Sequence, residues 1–264
     1  MNFTNKVVWI TGASSGIGEA LTLEFSKQGA TLILSSRNEA ALKNVRKACV
    51  DVEKVKIVLL NLEEHAIMQE KVAEAIAQFG RIDVLVNNGG VSQRSLASET
   101  SLAVDRQIMD VNYIGTVALT KALLPHFIQN KSGQFVVTTS IVGKIGTPFR
   151  SSYAASKHAL HGFFDSLRAE IYKYNISVCI VCPGFVNTNV SINALTGDGS
   201  PQQKMDIATQ NGMHPNSFAK LMIRAVLAEK EEVYIAGFKE KLGVFLKRYY
   251  PKLLSKMIRK MRVT

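Results

Sequence analysis

The sequence has no apolar run of the length a membrane-crossing helix needs, about 20 residues, which excludes a helical transporter or channel. Cysteine is scarce, with three in 264 residues, too few for a disulfide framework. Two of them form Cys179-x-x-Cys182, a spacing shared with redox and metal pairs, yet both lie in the apolar run from Ile176 to Cys182. That run reads as a buried strand, and strand residues an odd number apart face opposite sides. With no second pair and no nearby His, the two read as structural, and no metal site is expected. Acidic residues are outnumbered, 21 against 32 basic ones, for a net charge of +11. An excess of that size invites a nucleic-acid reading. Between Lys239 and Arg262, however, stand nine Lys and Arg with one Glu, so the charge belongs to a tail rather than a groove. No nucleic-acid partner is expected. Repeats, low-complexity blocks and inter-domain linkers are missing as well, and the length suits one domain. The opening residues lead directly into a strand-like run with no secretory signal, so the expected location is cytoplasmic.

What is there alternates. Short apolar runs at Val7–Thr11, Thr31–Arg37, Lys56–Asn61, Ile82–Asn88, Gly133–Ser140, Ile176–Cys182 and Glu232–Ala236 read as strands. Helical patterns fill the gaps, including a long one from about Leu102 to Gln129. Apolar strands alternating with helices predict a doubly wound α/β (Rossmann) fold, a parallel sheet of about seven strands with helices on both faces. Ligands in such sheets bind beyond the carboxyl ends of the strands. Gly12 to Gly18, Arg37, Asn61, Asn88, Ser140 and Pro183-Gly184 all fall at such ends.

The first strand runs into Gly12-Ala13-Ser14-Ser15-Gly16-Ile17-Gly18 and then a helical pattern to Lys27. Strand, glycine turn and helix make an anion site, because glycine lets backbone come close and the helix start offers free N–H groups to a phosphate. At the end of the second strand stands Ser36-Arg37-Asn38, where an acid would select a ribose hydroxyl. Arg37 instead suits a 2′-phosphate, which favours NADP(H) over NAD(H). Further on, Tyr153 and Lys157 are four apart at the start of a helix with serines able to cap it, so both project from one face. An ammonium beside a phenol makes the phenolate less costly. Between Phe185 and His214 the pattern breaks into a long polar stretch, and a loop of that length beside a strand end suits a lid over cofactor and substrate.

Thr11-Gly12-x-x-x-Gly16-x-Gly18, Asn87-Asn88-Gly89-Gly90, Asn112, Ser140, Tyr153-x-x-x-Lys157 and Pro183-Gly184-x-x-x-Thr188 together resemble the short-chain dehydrogenase/reductase family, over about Lys6 to Gly237. The stretch from Ser140 to Arg150 and Lys157-His158-Ala159-Leu160 is similar to its member-seven-type subgroup. The resemblance implies an oxidoreductase interconverting an alcohol and a carbonyl. In it Tyr153 is general acid/base, Lys157 lowers the Tyr153 pKa and holds the nicotinamide ribose, Ser140 orients the substrate oxygen, and Asn112 holds a relay water. It implies that Gly12, Ser14, Ser15, Ile17, Asn61, Leu62, Asn88 and the segment with Pro183, Gly184, Val186 and Thr188 line the cofactor. Gly89 departs from the usual alanine and Asn61 from a common Asp. A homodimer or tetramer is implied too, pairing through the helices of Asn112 and Tyr153, with Ala159, Gly162 and Phe163 at the contact.

Residues 1–237 thus read as one catalytic domain with a substrate loop at 185–214, and 238–264 as a basic amphipathic extension. Its apolar residues, from Leu242 and Phe245 to Met257, Ile258 and Met261, recur at three and four, and Pro251 starts a second helix. Such a helix fits an anionic (inner) membrane surface, the domain itself or a partner subunit equally well. Ile141, Val142, Phe149, Phe185, Val190 and Ile192 are candidate pocket walls, pointing to an apolar steroid-, retinoid- or lipid-like substrate. A 3-oxoacyl-thioester reductase and a cofactor-binding sensor or scaffold are the alternatives.

Overall fold

The computed structural model describes residues 3–259, so Met261 and Arg262 of the predicted tail lie outside the described residues. Seven parallel strands form one sheet in the order β3-β2-β1-β4-β5-β6-β7. They are β1 (Val7–Thr11), β2 (Thr31–Ser35), β3 (Val55–Ile57), β4 (Val84–Asn87), β5 (Gly133–Thr138), β6 (Ile176–Pro183) and β7 (Glu232–Ile235). Strand order reverses between β1 and β4, which opens a crevice at their carboxyl ends. Helices α1 (Gly16–Lys27), α2 (Glu39–Lys47) and α8 (Pro215–Leu227) cover one face; α3 (Met68–Phe79), α5 (Gly115–Asn130) and α6 (Ser151–Ile171) cover the other.

Every residue of β1 is buried, and its side chains alternate between two cores: Val8 and Ile10 on the α1 side, Val7 and Trp9 on the α6 side. Cys179 and Cys182 divide in the same way, as their odd spacing requires. Strand β3 is shorter than predicted, ending at Ile57, although Val58 and Leu60 still donate backbone hydrogen bonds to Leu34 and Ser36.

The long helix predicted over 102–129 is interrupted. It forms α4 (Leu102–Met109), a π-helical turn (Asp110–Ile114) and then α5. A π turn adds a residue without ending the helix and commonly marks a functional site. Here α5 starts hard against the chain: a Cβ on Gly115 would lie 2.2 Å from the Leu62 carbonyl oxygen, so only glycine passes.

The long segment after β6 is pinned rather than free. It carries the short helix α7 (Ile207–Gln210), and Leu195 bridges to both Gln93 and Pro201. After β7 follow α9 (Phe238–Tyr249) and α10 (Pro251–Ile258), with Pro251 in the first turn as predicted. Leu254 is buried in the α6-side core, and Val244, Leu246 and Ile258 pack on it. The opposite side of the pair leaves Phe238, Phe245, Tyr249, Tyr250, Leu253 and Met257 exposed. One apolar face therefore docks on the domain and a second faces outward. Among the described residues no helix is long and apolar enough to cross a membrane.

Candidate active site

At the mouth of the crevice the glycine turn adopts the conformation its residues allow. Gly12 and Gly16 have φ of +64° and +58°, in the left-handed region that favours glycine. A Cβ on Gly18 would sit 2.1 Å from the Gly12 carbonyl oxygen, so the helix start closes on the strand end only with glycine there. Ser15 caps α1 by backbone position but makes no side-chain cap hydrogen bond. The first-turn N–H groups and the Ser15 hydroxyl thus remain for an anion. Thr188 overhangs the turn, its methyl 3.1 Å from where a Gly16 Cβ would be. The Pro183–Thr188 segment is held in place by Gly184 N–H to Ile235 O (2.9 Å) and a bridge from Val186 to Met213. Ser14 and Ile17, both half-buried, flank the same turn.

Across the crevice Asn88 closes the floor: its N–H donates to the Thr11 hydroxyl (3.0 Å) and its side-chain Nδ2 to the Thr11 carbonyl (3.1 Å). Gly89 also donates to Thr11 Oγ1 (3.0 Å). The space a Gly89 methyl would take is filled by the tip of Leu62, 2.9 Å away. Asn61 folds into its own turn, accepting from Glu63 N–H and donating to Glu64. Arg37 stands exposed beyond β2, 3.8 Å from Glu63, a pairing that contributes little in water. This cradle, walled by backbone where any Cβ would intrude, fits a dinucleotide phosphate.

The Tyr153–Lys157 pair lies one strand further along. Tyr153 and Lys157 occupy the first two turns of α6, and the Lys157 ammonium sits 5.8 Å from the Tyr153 ring centroid. Lys157 is buried and donates to the Thr138 carbonyl at 2.8 Å. Burial pulls its pKa down from 10.5 to about 8. Burial pushes the Tyr153 phenol up, opposed by a hydrogen bond with Ser140 and then by the positive charges of Arg150 and Arg94. Ser140, after β5, is fixed by accepting from Val142 N–H (3.1 Å).

Asn112 lies in the π turn, fully buried. Its Oδ1 accepts from Val91 N–H (2.8 Å), and Nδ2 donates to Val91 O (2.9 Å) and Ser156 Oγ (3.0 Å). Those three bonds join the segment after β4 to α6. The predicted serine cap of α6 is not what forms. Ser151 and Ser152 lie inside the helix, and Gln93 caps it from a distance, its Oε1 accepting from Ser152 N–H (2.9 Å) and Tyr153 N–H (3.3 Å). Ser152 turns its hydroxyl to Asp105 instead. Gln93, Arg94 and Arg150 carry no motif, and only the fold places them here.

Two further expectations change. Ile141 is a core residue, while Val142, Phe149, Phe185 and Ile192 remain half-buried and Val190 is exposed. Cys182 does meet a histidine: His161 Nε2 lies 3.8 Å from its sulfur and Glu232 Oε1 lies 3.7 Å from it, the three ligand atoms all within 4.8 Å of one another. Sequence distance hid that cluster. Lys144, 2.9 Å from the same Glu232 oxygen, supplies the positive charge there.

A phosphate cradle at the sheet's reversal point and a Tyr–Lys–Ser group beyond the next strand define a dinucleotide-fold oxidoreductase. The short chain dehydrogenase family matches residues 6–198. Dehydrogenase/reductase SDR family member 7B of Xenopus laevis is 43% identical over 254 residues, covering 94% of this chain and 79% of that protein. The Drosophila melanogaster protein 7-like relative is 40% identical over 253 residues, covering 94% and 78%. Among solved structures, a short-chain dehydrogenase from Streptomyces avermitilis superposes with a TM-score of 0.81 at 28% identity, covering 96% of this chain and 95% of that one. A Burkholderia phymatum short-chain dehydrogenase/reductase in complex with NAD shares the fold, with a TM-score of 0.82, 23% identity and 96% of each chain covered. The chain belongs to the short-chain dehydrogenase/reductase family, and its fold is that of a nicotinamide-cofactor oxidoreductase.

Proposed function

We propose that this protein interconverts an apolar alcohol and its ketone or aldehyde with NADP(H), using Tyr153 as general acid/base. The observation that carries this reading is the placement of Tyr153 one helical turn from buried Lys157, whose ammonium lies 5.8 Å from the Tyr153 ring, at the carboxyl end of the sheet. The nicotinamide ring supplies or accepts a hydride. In the reducing direction Tyr153 would give its proton to the carbonyl oxygen as that oxygen gains negative charge. Ser140 hydrogen-bonds the same oxygen and holds it toward the phenol. In the oxidising direction Tyr153 takes the alcohol proton, and the cations around it lower the cost of the phenolate. Lys157, held by the Thr138 carbonyl, keeps its ammonium by the Tyr153 ring, where it would hold the ribose of a bound nicotinamide cofactor. Asn112 acts by holding Val91 and Ser156 on either side of the site.

Gly12, Gly16 and Gly18 with Ser14, Ser15 and Ile17 take the pyrophosphate side. Asn61, Leu62, Asn88 and the segment with Pro183, Gly184, Val186 and Thr188 would line the rest of a bound dinucleotide. Arg37, with Ser36 beside it, takes the 2′-phosphate. We read 1–237 as the catalytic unit and 185–214 as its substrate loop, with half-buried Phe149 and Phe185 as apolar walls.

The outward face of α9 and α10 interleaves exposed aromatics with Lys and Arg. It supports peripheral attachment of a cytoplasmic protein to an anionic inner membrane surface. The open surface at Gly162, with nothing within 4 Å of a built Cβ, supports pairing of α6 between subunits.

The test is a screen of steroid, retinoid and lipid carbonyls and alcohols with NADPH and NADH in parallel. Turnover should favour NADPH, fall by about 10²- to 10⁴-fold in Tyr153→Phe, and shift toward NADH in Arg37→Asp. Cofactor binding without turnover across the screen, or full activity in Tyr153→Phe, would refute the assignment.

A further inference from the structure

Three charged side chains that neither give nor take the transferred proton are buried beside Tyr153. Arg94 follows β4, Arg150 precedes α6 and Asp206 lies late in the substrate loop, and their side chains are 4%, 4% and 2% exposed. Arg94 grips Asp206 Oδ2 with Nε at 2.7 Å and Nη2 at 2.5 Å, and Arg150 reaches the same oxygen at 3.5 Å. The remaining groups are also engaged. Arg94 Nη1 donates to Ser92 Oγ (2.9 Å) and Gln93 O (2.6 Å), and Asp206 Oδ1 accepts from Gln202 Nε2 (3.1 Å). Arg150 also faces the Phe185 ring, 5.7 Å from its centroid.

Taking three charges out of water costs several kcal/mol each, and apolar residues of the same size would hold a loop at less expense. A charge cluster in this position therefore calls for an electrostatic role as well as a mechanical one. The loop is laid on the same segment that carries Arg94: Leu195 N–H donates to Ser92 O (2.9 Å), and Arg94 N–H to Leu195 O (2.8 Å). Phe149, just before Arg150, is in the left-handed region at φ +63°, a strained choice for a bulky residue that the packing around it must hold.

We propose that Arg94, Arg150 and Asp206 form a charge clasp that fastens the substrate loop over the reactive end of α6, with Asp206 the positioning residue on the loop and Arg94 the positioning residue on its dock. The proposal rests on the reading of Tyr153 as acid/base. Asp206 is the one member that travels with the loop. When the loop is down, its carboxylate offsets guanidinium charge beside the phenol. When it lifts, both arginines act on Tyr153 without that offset, and the phenolate is favoured. Loop closure and acid strength are thereby coupled. The charged and polar groups facing this region are Lys157 from α6, Arg150 before it, Arg94 after β4, Asp206 from the loop, Asp105 of α4 through Ser152, and the Ser140 hydroxyl.

Neither decisive measurement needs turnover, so failure of the clasp is separable from failure of the proposed reaction. Backbone hydrogen exchange is followed at Leu195, Gln202 and Gln203, whose N–H groups are bonded within or beneath the loop. Tyr153 ionisation is followed by tyrosinate absorbance, with Tyr153→Phe as the subtraction. Asp206→Asn and Arg94→Gln should each speed loop exchange about tenfold or more. The Tyr153 midpoint should move down in Asp206→Asn and up in Arg94→Gln. Unchanged exchange in both variants, or midpoints that move in one direction, overturns the proposal in favour of plain packing. If Asp206→Asn fails to fold, Arg94→Gln decides alone: a looser loop with a raised midpoint supports the clasp, and any other result removes it.

Discussion

Replacing Lys157 by Met should remove activity and yet make the protein more stable at neutral pH. The lysine is 5% exposed, and its pKa is pulled from 10.5 down to about 8 by burial. At pH 7 it is still mostly protonated, so folding carries the cost of burying an ammonium. At 1.36 kcal/mol per pH unit that cost is about 3 kcal/mol. Against it stands one hydrogen bond to the Thr138 carbonyl, whose loss costs about 1–2 kcal/mol. Lys157→Met, of similar length and without charge, should therefore gain about 1–2 kcal/mol, or about 2–8 °C in Tm. The sign follows from linkage. The unfolded lysine binds its proton up to about pH 10.4, whereas the folded one releases it from about pH 8. The penalty is complete below pH 8 and fades between 8 and 10.5, so the wild type should overtake the variant in that window. Denaturant unfolding of both proteins at pH 7 and pH 10, without cofactor, reads this directly. A variant that is less stable at pH 7, or a difference that does not change with pH, would refute the claim that Lys157 is held against a burial cost.

Other perturbations follow from the same geometry. Gly18→Ala places a methyl 2.1 Å from the Gly12 carbonyl oxygen, so it should cost about 1–3 kcal/mol and abolish dinucleotide binding measured by NADPH fluorescence titration. Leu254→Ala should cost about 2–5 kcal/mol, expose α10 to protease and leave the β1–α1 turn intact in hydrogen exchange. Cys179 and Cys182, both pushed up to about 12 by burial, should resist alkylation at pH 8 until the protein unfolds, which a thiol-counting reagent with and without urea would check.

The parts of this molecule that were legible in its sequence are those where one short segment carries the physics. Val7–Thr11, the glycine turn and α1 are contiguous, and each residue's role follows from its neighbours. Tyr153 and Lys157 share a face because a helix repeats every 3.6 residues. The Cys179–Cys182 separation across the sheet came from strand parity in the same way. What stayed hidden is tertiary. Arg94 and Asp206 are 112 residues apart, and Gln93 caps a helix that begins 58 residues later. Nothing local distinguishes these residues from ordinary loop polar groups. The π turn at Asp110–Ile114 was equally invisible, because an apolar helical pattern does not register one inserted residue where Gly115 meets Leu62. Cys182 failed for the opposite reason: it looked complete as a core residue on its own strand, while His161 stands on another element, 21 residues away.

The two faces of the sheet are finished at different times as the chain is made. The core on the α1 side uses residues no later than Ile235, whereas the α6-side core counts Leu254 among its members, with Leu246 and Ile258 packed against it. During synthesis the nucleotide-cradling half can close over its strands while the half beneath Tyr153 still waits for α10. A chain made as far as Ile235 has the residues of the α1-side core, while α6 still rests on an unsealed wall. The wall beneath Tyr153 thus becomes complete only once α10 has been made, well after the codon for Tyr153 has been read.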